Sequence, residues 1–175
     1  FQNDMLETVA HVESRMRALM TQLQEKRSID PPRVVDVVAL LRTVREHKRR
    51  QRPAVELRLG QTVSCEVTAH PERLERIIGH VVQNALDATN EDGSVFITLE
   101  FASPARARVV VEDSGCGMSP DLVSSAFDRF STSAKGGKRS GPGLGLSIVQ
   151  SFVNLHKGDV KIESEPGRGT TVHCR

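Results

Sequence analysis

Two consecutive prolines, Pro31 and Pro32, divide this 175-residue chain into two parts that must fold differently. A proline cannot continue a helix, and it disfavours helical backbone at the residue before it. We therefore predict one long amphipathic helix over residues 1–29 and a separate domain over residues 34–175. The helix is indicated by apolar residues spaced alternately four and three apart, namely Met5, Val9, Val12, Met16, Leu19 and Leu23.

This spacing is a heptad pattern, and a heptad seam packs against another helix with the same period. The partner helix could belong to a second copy of the chain, to a segment that precedes Phe1, or to both. The alternative is that the helix folds back on its own domain. We expect a homodimer through this helix.

The second part mixes helical and strand patterns. Helices are predicted at about 35–49, 71–88, 121–127 and 144–156, and strands at 55–59, 62–68, 95–101, 108–112, 160–164 and 170–174. Such a mixture predicts the α+β class, as an α/β sandwich with helices on one face of a mixed, mostly antiparallel sheet. The segment 131–142 is rich in Gly, Ser and Lys, and we predict a mobile loop there.

Charge and apolar content exclude some classes of function. The net charge of +2 indicates no polyanionic partner, and the basic run 48–52 lacks aromatic residues, so we expect a solvated helix end and no nucleic-acid binding. No stretch approaches the ~20 apolar residues of a membrane span. We expect a cytoplasmic domain, attached to a membrane only through segments upstream of those given.

The three cysteines, Cys65, Cys116 and Cys174, lie far apart in the sequence. They show neither the spacing of metal ligands nor a disulfide framework, which favours a reducing compartment.

Asn84 interrupts the apolar pattern of the helix predicted at 71–88, and His80 lies one turn before it on the same face. An amide oxygen is a hard ligand that suits Mg²⁺, which also takes phosphate oxygens. The alternative is a surface asparagine without a ligand.

Asp113 ends a predicted strand and is followed by Ser-Gly-Cys-Gly. A carboxylate only accepts hydrogen bonds, and adenine offers an amino group where guanine presents a carbonyl, so Asp113 would select adenine. Gly115 and Gly117 permit close backbone approach or positive φ. An ordinary turn after a strand is the alternative.

A glycine-rich turn at 141–145 leads into the last predicted helix, where backbone N–H groups could bind phosphate. No strand precedes this turn and no Lys-Ser/Thr follows it, so neither the dinucleotide fingerprint nor the P-loop fits. Nearby, Lys135, Lys138 and Arg139 could reach a terminal phosphate or only keep the loop soluble. Thr170, after a Gly-Arg-Gly turn, could lie beside Asp113 or be a simple strand residue.

In this order the motifs are highly specific, and the chain resembles the ATP-binding catalytic domain of bacterial sensor histidine kinases. These belong to the gyrase–Hsp90–histidine kinase–MutL superfamily with the Bergerat fold. The resemblance covers residues 34–175; the segment 127–130 matches the Phe box and 131–135 the start of the ATP lid. It implies binding of Mg-ATP and transfer of the γ-phosphate to a histidine of a two-component kinase, which pairs with a response regulator.

Carried over residue by residue, the resemblance implies that Asn84 ligates Mg²⁺, that Asp113 holds the adenine and that Thr170 completes the adenine site. It also implies that Lys135 and Arg129 approach the γ-phosphate. The remaining residues would shape the adenine slot or cradle the phosphates; they are Gly115, Gly117, Gly141, Gly143, Leu144 and Gly145.

His80 departs from the family pattern, because many histidine kinases have a second asparagine there and the ATP-hydrolysing branch has a glutamate base. A histidine can act as a base, so His80 is a candidate catalytic residue together with Lys135 and Arg129. Without a carboxylate at this position we favour phosphoryl transfer over hydrolysis. His11 is followed by Val12 rather than an acidic residue, so we expect the phosphoacceptor on a helix outside the given residues. The alternatives are a serine kinase or anti-sigma regulator of the same superfamily, and a nucleotide-sensing pseudo-kinase.

Overall fold

The structure is a computed structural model that describes residues 30–126 and 156–175, together with Val12, Arg15, Met16 and Val149. Its strands are β1 Arg33–Asp36, β2 Val55–Arg58, β3 Glu66–Ala69, β4 Val95–Ser103, β5 Arg106–Asp113, β6 Val160–Glu165 and β7 Gly169–Cys174. Its helices are α1 Val37–His47, α2 Pro71–Ala88 and α3 Pro120–Ser124.

Five of these strands form one sheet in the order β2-β4-β5-β7-β6. Strand β2 runs parallel to β4, and the other neighbours are antiparallel. Strands β1 and β3 form a separate antiparallel pair. The predicted α+β class, with a mixed and mostly antiparallel sheet, is confirmed.

The sheet has one apolar face and one charged face, as expected when successive side chains alternate along a strand. Helix α2 packs against β4 and β5, and α1 packs against α2. The core between them consists of fully buried aliphatic side chains, among them Leu41, Ile77, Ile78, Val82, Ile97 and Val111. On the opposite face, ion pairs join Arg58 to Glu112 and Arg108 to Glu100, each at 3.6 Å.

The start of α1 corrects the predicted helix at 35–49. Val35 and Asp36 belong to β1, and the helix begins at Val37. The carboxylate of Asp36 caps the helix by accepting from the backbone N–H of Val38 at 3.0 Å, and it also accepts from the N–H of Cys65 at 2.9 Å. The pair Val34-Val35 fits both a strand and a helix pattern, so sequence periodicity does not separate them.

Helix α2 has the bounds that the sequence predicts, and both ends have a physical cause. Pro71 suits the first turn, where a backbone N–H would lack a helical partner. At the other end Thr89 is buried, and its hydroxyl donates to the carbonyl of Ala85 at 2.7 Å. The strand predicted at 62–68 is shifted, since β3 spans Glu66–Ala69.

Only three residues of the predicted helix at 1–29 are described, and all three are helical. Val12 and Met16, two residues of the heptad seam, are 53% and 64% exposed in the single chain. The predicted loop at 131–142 lies outside the described residues, and Val149 is helical within the predicted 144–156. Across the described ranges, no helix has the length and apolar character that crossing a membrane requires.

Candidate functional site

Asp113 is held in a fixed orientation at the end of β5. Its Oδ1 accepts from the backbone N–H of Gly115 at 2.8 Å and from that of Thr170, its register partner on β7, at 3.3 Å. Its other oxygen, Oδ2, accepts no hydrogen bond from a described residue. Burial raises the pKa of the Asp113 carboxyl, and the two hydrogen bonds limit the rise. A carboxylate with one unengaged oxygen can accept from a ligand amino group.

Two glycines let the backbone close around this carboxylate. Gly117 and Gly169 have φ of 66° and 97°, which L side chains rarely adopt. A Cβ at Gly117 would overlap the carbonyl oxygen of Glu165, and one at Gly169 would overlap that of Asp113. Glycine is therefore required at both positions for two separate reasons.

Ser164 links β6, β7 and the loop after Asp113, although no motif in the sequence points to it. Its hydroxyl accepts from the N–H of Met118 at 2.8 Å, donates to the carbonyl of Gly169 at 2.9 Å and pairs with the Thr170 hydroxyl at 2.8 Å. The Thr170 hydroxyl thus contacts Ser164, while the Thr170 backbone contacts Asp113. The hairpin register, which places Ser164 opposite Thr170, could have revealed it.

We call the residues around this carboxylate the loop end of the site: Asp113, Gly115, Gly117, Gly169 and Thr170. The loop is tied to its surroundings by backbone hydrogen bonds. The N–H of Cys116 donates to the carbonyl of Ala88 at 3.2 Å, and the carbonyl of Cys116 accepts from the N–H of Gly167 at 2.7 Å. The loop end is therefore clamped between the end of α2 and the β6–β7 turn.

His80 and Asn84, which we call the helix end, lie on α2 in the same row as Ala88. Residues four apart share one face of a helix and advance by about 6 Å along its axis. Asn84 is thus one turn, and His80 two turns, away from the point where α2 contacts the loop end. The Asn84 side chain is exposed and forms no hydrogen bond with the described part of the chain.

His80 is half-buried, and the pKa of its imidazole is lower than the ordinary histidine value. Burial lowers the pKa of its imidazole, and the positive charges of Arg76 and Lys48 lower it further. The ring is therefore neutral at pH 7 and has one nitrogen lone pair, which suits a hydrogen-bond acceptor rather than a cation.

The structure brings Asp113, Gly115, Gly117 and Thr170 together and sets Asn84 and His80 on the adjoining helix. The other predicted site residues lie outside the described residues, so their roles stay predictions; they are Arg129, Lys135, Gly141, Gly143, Leu144 and Gly145. In the part of the chain that is described, no three His, Cys, Asp or Glu side chains form a group that could hold a metal ion. A metal here would need oxygen ligands of another kind.

Comparison with known proteins places this site within a family. The family model described as histidine kinase-, DNA gyrase B-, and HSP90-like ATPase matches residues 69–175, which include both ends of the site. The chain is 38% identical to the sensor protein DivL of Caulobacter vibrioides over 117 residues, or 64% of this chain and 15% of that protein. It is 32% identical to the sensor histidine kinase ZraS of Klebsiella oxytoca over 110 residues, or 63% of this chain. That match covers 23% of ZraS, so the chain spans less than a quarter of either relative.

Solved structures show the same fold. The mycobacterial sensor histidine kinase MprB matches with a TM-score of 0.70 and 27% identity, over 82% of this chain and 95% of that one. Full-length ShkA in complex with AMPPNP matches with a TM-score of 0.68 and 28% identity, over 82% of this chain and 30% of that one.

Proposed function

Because the chain belongs to the family of histidine kinase-, DNA gyrase B- and HSP90-like ATPases, we propose that it binds Mg-ATP and donates the γ-phosphate to a histidine of a two-component sensor kinase. The observation that carries this proposal is the geometry of Asp113. One carboxylate oxygen is held by two backbone N–H groups, and the other is left to accept from a ligand. Relatives named as sensor histidine kinases support the kinase assignment.

The loop end would bind adenine. Asp113 Oδ2 accepts a hydrogen bond from the exocyclic amino group of adenine, whereas the carbonyl of guanine would face it with a second acceptor. Gly115, where a Cβ would lie 2.8 Å from Asp113 Oδ1, keeps a side chain away from the carboxylate, and Gly117 and Gly169 let the backbone around it approach closely. Thr170 contributes through its N–H, which orients Asp113, and its hydroxyl could bind a bridging water.

The helix end would bind the phosphates and Mg²⁺. Asn84 fits a magnesium ligand because its side chain is exposed, its amide oxygen is a hard donor, and no described residue engages it by a hydrogen bond. Mg²⁺ commonly takes one or two protein ligands together with phosphate oxygens, which agrees with a single donor here. When bound, Mg²⁺ neutralises charge on the phosphates.

The transfer step needs positioning more than covalent chemistry from this chain. A nitrogen of the acceptor imidazole attacks the γ-phosphorus while the bond to the β,γ-bridging oxygen breaks and ADP leaves. His80 is neutral, and among the described residues no hydrogen bond or ion pair joins it to a carboxylate, so we favour phosphoryl transfer over hydrolysis of ATP. Lys135 and Arg129 would stabilise the γ-phosphate, and Gly141, Gly143, Leu144 and Gly145 would cradle the phosphates.

The partners of the proposed kinase follow from the same assignment. We propose a response regulator as the recipient of the phosphate and a homodimer through the helix at 1–29. The exposed Val12 and Met16 support a partner for that helix. We further propose that the domain works in the cytoplasm, where ATP is available, and does not bind nucleic acid.

Calorimetric titration with ATP and GTP, each with and without Mg²⁺, tests the binding proposal. We expect binding of ATP, strengthened by Mg²⁺, and none of GTP. Equal affinity for both nucleotides would contradict adenine recognition by Asp113, and absence of both would refute nucleotide binding.

Asn84→Ala tests the metal ligand, and Asn90→Ala is its matched control because Asn90 is also exposed but lies beyond α2. Asn84→Ala should weaken ATP binding in the presence of Mg²⁺ and leave it unchanged without Mg²⁺. Asn90→Ala should change neither. A loss that is independent of Mg²⁺ would remove Asn84 from the metal site.

Transfer is tested with γ-labelled ATP and a two-helix phosphoacceptor domain of a sensor histidine kinase added in trans. Label on that domain that is lost in acid and kept in base would indicate phosphohistidine. The reverse stability would indicate phosphoserine and favour a serine kinase. Binding without any transfer would favour a nucleotide-sensing module.

A further inference from the structure

The sequence predicts that the basic run 48–52 at the end of α1 is solvated, but its first residue is not fully exposed. Lys48, its first residue, is half-buried, and its Nζ donates to Oε1 of Gln83 at 2.8 Å. Gln83 precedes Asn84 on α2. The ammonium of Lys48 is therefore held at the level of the helix end, by a contact between residues 35 apart in the sequence.

A closed network of hydrogen bonds fixes this position. The amides of Gln51 and Gln83 bond to each other in both directions at 3.1 Å, and Nε2 of Gln83 also donates to Oδ1 of Asp87 at 2.8 Å. Gln83 thus accepts twice and donates twice, and only one orientation of its amide satisfies both Lys48 and Asp87.

The charged groups that act around this network include the cations Lys48 and Arg76 and the carboxylate of Asp87. Burial lowers the pKa of the Lys48 ammonium, and Asp87 is the nearby carboxylate that opposes the shift. The positive charges of Arg76 and Lys48 both lower the pKa of His80, so both groups lie near this residue of α2. A half-buried cationic group gains from an anion placed nearby, because screening by water is reduced there.

We infer that Lys48 is a positioning residue for the phosphate chain of the nucleotide, holding positive charge beside Asn84 so that affinity depends on the number of phosphates. The inference rests on the proposed function and extends it to a residue outside the family motifs. Two parts of the site then recognise two parts of the nucleotide: the loop end selects the base, and the Lys48 network favours the polyphosphate.

The experiment compares the affinities of the chain for Mg-ATP and for adenosine in Lys48→Gln. We expect about a 10-fold loss of ATP affinity, the order expected when one favourable charge near a polyphosphate is removed, and less than about a 2-fold change for adenosine. Lys48→Arg, which keeps the charge, should restore most of the ATP affinity. The matched control is Arg50→Gln, which makes the same change of charge at an exposed position and should alter ATP affinity by less than about 2-fold.

Two further readouts separate a charge effect from loss of structure. The ATP deficit of Lys48→Gln should shrink at high salt, since salt screens charge but not packing. Asp87→Asn should tighten ATP binding by about 2- to 3-fold and leave adenosine unchanged, because it removes the opposing carboxylate. Partial unfolding cannot produce a gain in affinity.

The outcomes are distinct. If Lys48→Gln binds ATP as the wild type does, or loses ATP and adenosine equally, the inference is wrong and the proposed function stands. If the wild-type chain binds neither ligand, the proposed function itself fails, and the inference fails with it.

Discussion

The loop end of the site is formed mainly by backbone groups, whereas the helix end is formed mainly by side chains. At the loop end, backbone N–H and carbonyl groups surround one carboxylate, and glycines at positive φ allow the strands and loop to approach closely. At the helix end, side chains form the contacts: Lys48, Gln83 and Asp87 form a hydrogen-bond network, and Gln83 directly precedes the exposed Asn84. The first arrangement is rigid and intolerant of substitution, whereas the second can be adjusted residue by residue.

Gly169→Ala tests most strongly whether the loop end is intolerant of substitution. We expect it to lower the free energy of unfolding by about 3 kcal/mol, and nucleotide binding should be lost as a result. The new methyl meets the carbonyl of Asp113. Gly167→Ala is the control, because it shares a positive φ in the same turn but has open space around it, and about 1 kcal/mol is expected. Thermal or chemical denaturation measures both; equal losses would show that backbone conformation, not close approach, sets the requirement.

Asp113→Asn should separate recognition from stability. We expect a loss of about 10- to 100-fold in ATP affinity, because the Asn amide presents a donor to the donor on adenine. Since burial raises the pKa of Asp113, the ionised carboxylate is disfavoured in the folded state, and the stability of the unliganded protein should not fall at neutral pH. Titration with ATP and denaturation of the apo protein check the two parts.

Ser164→Ala tests whether the loop end depends on more than its backbone. Removal of the hydroxyl leaves the Met118 N–H without this acceptor, and we expect a loss of about 1–2 kcal/mol in stability. Ser103→Ala, at an exposed site in β4, is the control and should be neutral. No loss in Ser164→Ala would show that water replaces the hydroxyl.

The smallest effect is expected from the pH dependence at the helix end. Because the pKa of His80 is lowered in the folded state, its contribution to stability is fully present above pH 6.5, the ordinary histidine value, and is lost as the pH falls below it. Denaturation of the wild type and of His80→Asn across this range should show a shallower loss in the variant. A parallel decline in both would exclude His80 as the titrating group.

Most residues of the loop end could be proposed from the sequence because they are close together in it. Thr170 lies opposite Asp113 only through the pairing of β5 with β7, strands far apart in the sequence, but Asp113 and the glycines after it lie within five residues. Residue types and spacing are enough for such a motif.

The parts that the sequence did not reveal depend on contacts between distant elements. Lys48 reaches Gln83 because α1 packs on α2, and Ser164 becomes important only through the register of β6 and β7. Strand β1 was missed for a related reason, since its pairing with β3 overrides a local pattern that also fits a helix. Tertiary packing, rather than propensity, decides these features.

The two hydrogen bonds to Asp113 also bear on the entropy of ligand binding. They orient the carboxylate during folding, so its loss of rotational freedom does not recur when a ligand arrives. At this end, the carboxylate of Asp113 needs no reorientation before a base binds. Binding of a base there therefore costs less conformational entropy than it would with a freely rotating carboxylate.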